Sequence, residues 1–396
     1  MKVRQIRISA LLLPISLLFY TALIVTTFSM IFYARDRFQA SASLIGWLVA
    51  VPHICYFSGC FVLRPLYRLI LPGHSLVLAT ASAAALLAGM LAVRSLSLLF
   101  ILYGLFGFSL SLFWPPLMGW LSFGKEERAL NTALGWFNLS WSGGNIIAPA
   151  VAGLLLQRGI GVPFRAAALI MTAICLAVLI ASVAVPGIRR ERRREPLARG
   201  EETREDRSTP LRYPAWIGLL ASYVILGITM SVFPLYLREE IGLTETRIGL
   251  LILFRALFST LGFIILARFA FWHFNARLMI LAQGMIIVVV AAMAAVGTFF
   301  SFAVVLAAFG LLFALSYNNS LFHGVSGSLR RSTRMAVHEG ILTAGMVAGS
   351  AIGGALYQEG RFIRVLIFGC VVVAAAAAAQ TVLVLLFHEL STNSAD

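Results

Sequence analysis

Charge is what this chain has least of. Only 12% of its 396 residues are Asp, Glu, Lys or Arg, and only 16 are acidic, where a soluble domain carries about a quarter charged residues. So few charges cannot cover a water-facing surface. Cysteine is scarce as well. Cys55, Cys60, Cys175 and Cys370 show neither metal-ligand spacing nor an extracellular pairing pattern, which excludes a disulfide scaffold and a zinc module. They read as small apolar packing residues. No nucleophile triad is present, so the chain is not expected to be an enzyme, and no cofactor or metal is expected. The segment Gly119–Lys125 has the spacing of a phosphate-binding loop. Glu126 stands where Ser or Thr must hold magnesium, and no strand precedes it, which excludes nucleotide binding there.

What the chain has in abundance is apolar length. Hydrophobic residues make up 60%, more than one water-soluble core could hide. A spanning helix needs about 20 mainly apolar residues. Such runs occur at about 8–33, 43–63, 71–93, 96–122, 130–156, 164–187, 214–236, 246–267, 277–297, 300–324, 335–357 and 363–388. They are too long and too uniform for barrel strands, and lipid cannot satisfy a bare backbone. The expected fold class is therefore an all-α membrane protein with twelve transmembrane helices. The net charge of +15 does not mark a nucleic-acid surface. Of the 31 Lys and Arg, 21 fall on one side of this topology, 9 on the other, and Arg255 lies inside a span. That is the positive-inside bias, and it places both termini in the cytoplasm. The first apolar run is much longer than a signal peptide's, so an uncleaved first helix is expected.

The chain divides near its middle. Residues 188–213 hold nine Arg and six acidic residues and read as a hydrated linker. Sliding the second half by about 203 residues aligns Tyr20 with Tyr223, Thr26 with Thr229, Tyr33 with Tyr236, Ile45-Gly46 with Ile248-Gly249, and Gly59 with Gly262. At a shift of 201, GLLLQRG (153–159) meets GALYQEG (354–360). Two six-helix bundles, 1–187 and 214–396, are expected as parallel repeats.

On these residues the chain resembles the major facilitator superfamily over about 10–390, as a divergent bacterial member. In the fifth span, Gly135, Gly144, Ala148-Pro149 and Ala152-Gly153 keep the spacing of a glycine-proline pattern shared by many of its antiporters, with two glycines replaced by alanine. Small residues permit close helix contact, and the proline permits a bend. After the second span, Gly59, Arg64 and Arg68 survive from the family's loop motif, but Leu63 replaces its acid and Leu66 its glycine. Tyr103 stands where proton-coupled drug antiporters carry an arginine. The resemblance implies two pseudo-symmetric bundles moving a solute by alternating access, with spans one, four, seven and ten lining the path. Gly59, Arg64, Arg68 and Pro149 become gating candidates.

Polar groups inside spans mark candidate sites, because a charge in hydrocarbon costs about 2.5–3.5 kcal/mol on insertion scales. Arg255 lies near mid-span in LLILFRALFST, and its repeat mate is Pro52. It reads either as an anchor for an anionic solute or as a structural partner of buried groups. Glu339 and His338, at the start of span eleven, read as proton-coupling residues or as ordinary helix-start groups. His53 reads more simply as hydrogen-bonded packing. Trp114 precedes Pro115-Pro116, which should break its helix, and it aligns with Asn318, flanked by Tyr317 and Asn319. Asn138, Trp141 and Asn145 share a face by their three- and four-residue spacing. With Tyr20 and Tyr223, these are the candidate solute contacts.

The expected function is secondary active transport of a small polar or anionic organic solute, proton- or gradient-coupled. Two alternatives stay open: a multidrug-type efflux antiporter, and a non-transporting receptor or scaffold of the same fold. The expected partners are a small-molecule solute and the lipid bilayer, with no nucleic acid, for a monomer in a bacterial inner membrane. The topology is directly testable. Alkaline phosphatase fused after Ala40 should be active, and fused after Arg68 inactive. The reverse pattern would invert the orientation.

Overall fold

The computed structural model describes residues 2–122, 127–184, 208–328 and 331–393, with side chains described over 11–67, 69–118, 120–121, 136–181, 208–328 and 334–387. Most of the linker, the Phe123–Glu126 end of the phosphate-loop look-alike and the side chains of Arg68 and Gly135 lie outside these. Among the described residues every regular element is helical. In order they are α1 (Lys2–Phe38), α2 (Ala42–Val62), α3 (Leu66–Leu69), α4 (Pro72–Ala92), α5 (Leu96–Leu110), α6 (Trp114–Ser122), α7 (Glu127–Leu156), α8 (Val162–Ala184), α9 (Arg212–Thr229), α10 (Val232–Glu239), α11 (Glu245–Arg268), α12 (Ala276–Ala292), α13 (Phe299–Val325), α14 (Arg331–Glu359) and α15 (Phe362–Asn393).

Among the described residues eleven segments are long and apolar enough to cross a membrane, and α12 is a shorter apolar helix of 17 residues. The expected span at 277–297 is thus trimmed at its end. Its 17 residues rise about 26 Å. Three successive bonds of the tighter 3₁₀ type, Met293 N–H to Val290, Ala294 to Ala291 and Ala295 to Ala292, add about 6 Å. Together they approach the ~30 Å of a hydrocarbon core. Helix starts follow local chemistry. Thr298 and Ser301 form a reciprocal capping box on α13, Asn275 caps α12, Ser95 caps α5, and Pro72 opens α4.

Among the described residues two spans are broken, and proline explains both. Pro115 and Pro116 have no N–H, so the carbonyls four residues earlier, Ser111 and Leu112, lose their helical donors. In hydrocarbon an orphaned carbonyl is expensive. Both are capped from neighbouring segments of the same unit. The Tyr67 hydroxyl donates to Ser111 O at 2.9 Å, and the Ser75 hydroxyl donates to Leu112 O at 2.7 Å. Residues 111–113 form a tight turn between α5 and α6. Burial pushes the Tyr67 phenol up to about 12, so it remains a donor across the physiological range. Gly59 completes the joint, since a Cβ there would lie 2.6 Å from Ser111 Oγ. The second break, at Met230–Ser231 between α9 and α10, was not expected from the sequence. Pro234 withdraws the donor for the Met230 carbonyl, and the Ser231 hydroxyl turns back to Gly227 O at 2.6 Å. Pro14, Pro52 and Pro149 stay inside continuous helices.

By internal contacts the chain forms two compact units. One comprises residues 1–40, 48–195 and 243–253, and the other 41–47, 196–242 and 254–396. Each contains a glycine seam that reaches into the other half of the sequence. In the first, a Cβ on Gly153 would meet Glu245 O at 2.5 Å, and one on Gly249 would collide with Pro149 O. In the second, a Cβ on Gly354 would meet Ala42 O at 2.6 Å, and one on Gly46 would collide with Ser350 O. Gly46 with Gly249, and Gly153 with Gly354, are the mates aligned in the sequence. Equivalent residues therefore make equivalent backbone-to-backbone crossings.

The capping of the broken span makes a stability prediction. Tyr67→Phe and Ser75→Ala each uncap a carbonyl and should destabilise by about 1–3 kcal/mol. Tyr103→Phe, whose buried hydroxyl has no partner among the described residues, should be neutral or slightly stabilising. Thermal unfolding of the purified variants in one detergent checks the ranking.

Candidate functional site

In the first unit, three helices bring expected contact residues together. The break at 111–113 turns Trp114 toward α1, where its ring lies 5.4 Å from Phe19 and 5.9 Å from Tyr20. Phe19 itself stacks on Phe113 at 3.4 Å. From α7, Trp141 comes within 5.3 Å of Tyr20, and Phe137 within 6.0 Å of Trp114. The backing rings Phe19, Phe113 and Phe137 are buried, while Tyr20, Trp114 and Trp141 are half-buried. The Trp141 indole N–H donates to Asn138 Oδ1 at 3.1 Å, and Asn138 is exposed. Asn145 is half-buried two turns further along α7. On the same helix Gly144 packs against α1, where a Cβ would lie 2.8 Å from Leu17 O. That approach sets the distance between Tyr20 and Trp141.

The second unit holds a polar core. Arg255 on α11 is buried, at 4% exposure. Its backbone carbonyl accepts the Ser259 hydroxyl at 2.9 Å and faces Gly310 of α13, where an added Cβ would collide with it. On α13, Tyr317 and Asn318 are half-buried, and Asn318 bonds back to Ala314 O at 3.0 Å. Asn319 is buried, its Oδ1 unpartnered among the described residues. Tyr223 on α9 packs 5.2 Å from Phe313. His338 is buried, its Nδ1 2.8 Å from the Ser320 hydroxyl and its ring 5.1 Å from Tyr317, while Nε2 has no partner among the described residues. Glu339, the next residue, is exposed.

Two members of this core were missed in the sequence. Gln283 and Gln380 are fully buried. Gln283 Nε2 donates to Gly218 O at 3.3 Å and to the Ser316 hydroxyl at 3.2 Å. Gln380 Nε2 donates to Pro214 O at 2.7 Å. A Cβ on Gly218 would collide with Gln380 Nε2 and lie 2.7 Å from Gln283 Nε2, so both amides converge on the bare backbone of that glycine. The available signal was burial-compatible polarity at mid-span, the same logic that drew attention to Arg255. Ser316, Asn319, Ser320 and His323 follow the three- and four-residue steps of one helix face, and all are buried. His323 Nε2 accepts the Phe274 N–H at 3.3 Å, and its Nδ1 lies 2.9 Å from Asn319 O.

The gating candidates lie apart from these clusters. Arg64 is exposed, Arg68 lies on α3, Gly59 abuts the break in the fourth span, and Pro149 sits at the Gly249 crossing. His53 Nδ1 rests 3.0 Å from its own helix's Val49 O, as packing would have it. Tyr103 is buried against Phe106.

The major facilitator superfamily model matches residues 12–329. The chain belongs to that superfamily. It is accordingly a multi-pass membrane protein of the transporter fold. A search of curated proteins finds no match. Among solved structures, it is similar to a bacterial homologue of the human lysosomal transporter Spinster, inward-facing and unoccupied, at 13% identity and TM-score 0.74 with 97% of each chain covered. It is also similar to the nucleoside transporter NupG, at 12% identity and TM-score 0.73, covering 95% of this chain and 99% of that one. A bacterial homologue of the iron transporter ferroportin, inward-facing, gives 17% identity and TM-score 0.69, covering 96% and 98%.

The polar core of this superfamily member yields a stability prediction. Ser320→Ala removes the Ser320–His338 hydrogen bond and leaves a buried imidazole without it. A loss of about 1–3 kcal/mol is expected, with Ser320→Thr restoring most of it. Thermal unfolding of both variants provides the comparison.

Proposed function

We propose that this chain is a secondary active transporter that moves a small polar or anionic organic solute by alternating access, driven by a proton or solute gradient. Superfamily membership over residues 12–329 carries the transporter reading. The polar or anionic character of the solute rests on Arg255, a guanidinium held inside a membrane span at 4% exposure. Such a charge is costly, and its repeat mate is a proline. A charge present in one half alone suits a specific ligand better than a duplicated scaffold role.

Solute contacts come from Tyr20, Trp114, Asn138, Trp141 and Asn145 in the first unit, and from Arg255, Tyr223, Tyr317, Asn318 and Asn319 in the second. His338 and Glu339 carry the coupling proton. A buried imidazole, its Nε2 unpartnered among the described residues, and a carboxylate on the same helix place two proton-binding groups at the start of span eleven. Gly59, Arg64, Arg68 and Pro149 act in gating. The bundles 1–187 and 214–396, joined by the linker 188–213, are the moving parts, in a bacterial inner membrane with both termini cytoplasmic. A multidrug antiporter is the second reading, favoured by the fifth-span pattern around Pro149 and by the aromatic wall of the first unit.

A thermal-stabilisation screen of small solutes at two pH values should identify a cargo, which is then followed in proteoliposomes. Arg255→Ala should abolish concentrative transport of that cargo. Glu339→Gln should retain exchange but lose its response to an imposed pH gradient. Normal transport by Arg255→Ala would remove the anchor assignment, and a gradient response unchanged in Glu339→Gln would remove the coupling assignment.

A further inference from the structure

The wall formed by Tyr20, Trp114 and Trp141 has a chemical bias that its members reveal together. None of the three carries a formal charge, and neither does Asn138. The Tyr20 ring lies 5.9 Å from Trp114 at a tilt of 63° and 5.3 Å from Trp141 at 49°, direct contact on both sides. The rings therefore make a continuous surface. They do not enclose a hollow of the kind that traps a quaternary ammonium among several aromatic faces.

The polar end of the wall is equally specific. The Trp141 N–H is already donated to Asn138 Oδ1. This bond fixes the amide's orientation, because the indole can only donate. It leaves Asn138 Nδ2, with two N–H donors and no acceptor among the described residues, on an exposed side chain of α7 within the expected span at 130–156. An amide with free donors is not stable against hydrocarbon. That face of the unit must meet water or a solute that accepts hydrogen bonds.

We infer that Tyr20, Trp114, Trp141 and Asn138 form a subsite for a flat, uncharged ring bearing a carbonyl or ring-nitrogen acceptor. The ring lies on the aromatic wall, and its acceptor takes the Asn138 N–H groups. The subsite discriminates against cations, because none of its four residues is a carboxylate and its rings form no enclosing cage. It discriminates against saturated rings, which lose the stacking component. The inference rests on the reading of this face as solute-facing, and it narrows the cargo to aromatic or heteroaromatic solutes. An anionic group elsewhere on the same molecule is compatible with it.

The test uses purified full-length protein in detergent and three probes followed by calorimetric titration. Nicotinamide is a flat neutral ring with an amide carbonyl. Cyclohexanecarboxamide keeps the amide without the aromatic face. Tetraethylammonium is the cation. Nicotinamide should bind, cyclohexanecarboxamide should bind at least tenfold more weakly, and tetraethylammonium should not bind. Asn138→Asp keeps an acceptor for the Trp141 indole and removes both donors, so it should weaken nicotinamide at least tenfold without unfolding the protein. Trp114→Leu should do the same through the ring face. Equal binding of tetraethylammonium, absence of nicotinamide binding, or unchanged nicotinamide binding in Asn138→Asp would each overturn the inference. The underlying reading is tested separately by Asn138→Cys and Trp141→Cys in a background with Cys55, Cys60, Cys175 and Cys370 replaced by serine. Reaction of both with a membrane-impermeant maleimide means the face meets water, so a failed titration would then reject only the ring class. Protection of both would reject the solute-facing reading itself.

Discussion

The structure depends on one constraint: inside hydrocarbon, every backbone polar group needs a partner. Continuous helices satisfy it automatically. The fourth span does not, because two adjacent prolines leave the carbonyls of Ser111 and Leu112 bare. Tyr67 and Ser75 supply the missing donors, and the aromatic wall of the first unit is built on that repair. It fixes the turn at 111–113 and delivers Trp114 to α1. It also ties the short α3 segment to the broken span. The loop around it carries Leu63 and Leu66 in place of the acid and glycine of the motif it resembles. Its tyrosine gives it a different attachment, through a hydroxyl and a backbone carbonyl.

The second unit meets the constraint in the opposite way. Its tenth span, α13, runs unbroken from Phe299 to Val325, and where the first unit has Pro115 and Pro116 it carries Asn319 and Ser320. Polarity there resides in side chains. Ser316, Asn319, Ser320 and His323 line one buried face and meet Gln283, His338 and the Phe274 backbone. One repeat has kept an aromatic wall beside a broken helix, and the other a hydrogen-bonded core beside a buried arginine. Duplication supplied the frame, and divergence at corresponding positions made the halves chemically distinct.

Much of this was legible in the sequence, for identifiable reasons. Span positions follow from hydropathy because lipid tolerates so little else. The break at Pro115-Pro116 follows from the missing N–H groups. The aromatic members of the first unit were found because α7 presents Asn138 and Trp141 at helical spacing. Other features depend on contacts between distant segments. Tyr67 caps a carbonyl 44 residues further along the chain, a partner that local spacing does not reveal. Gln283 and Gln380 are 97 residues apart, and only the fold brings both amides to Gly218. The break near Ser231 was hidden because Pro14, Pro52 and Pro149 show that a single proline need not interrupt a helix. Arg255 was visible as a charge in a span, but its depth of burial was not.

The glycine seams also bear on the order in which the protein is made. At synthesis rates of about 5–20 residues per second, Gly153 waits roughly 5–20 s for Glu245–Gly249 to emerge. On the same rates Gly46 waits roughly 15–60 s for Ser350 and Gly354. During that interval the start of α2 must lie in the bilayer with its small-residue face uncovered. The first unit can therefore close while the second is still being translated, and the Gly46–Gly354 crossing forms only near the end of synthesis, just ahead of the docking of α15. A ribosome stall between residues 250 and 350 would leave that bare face as the surface offered to membrane quality control.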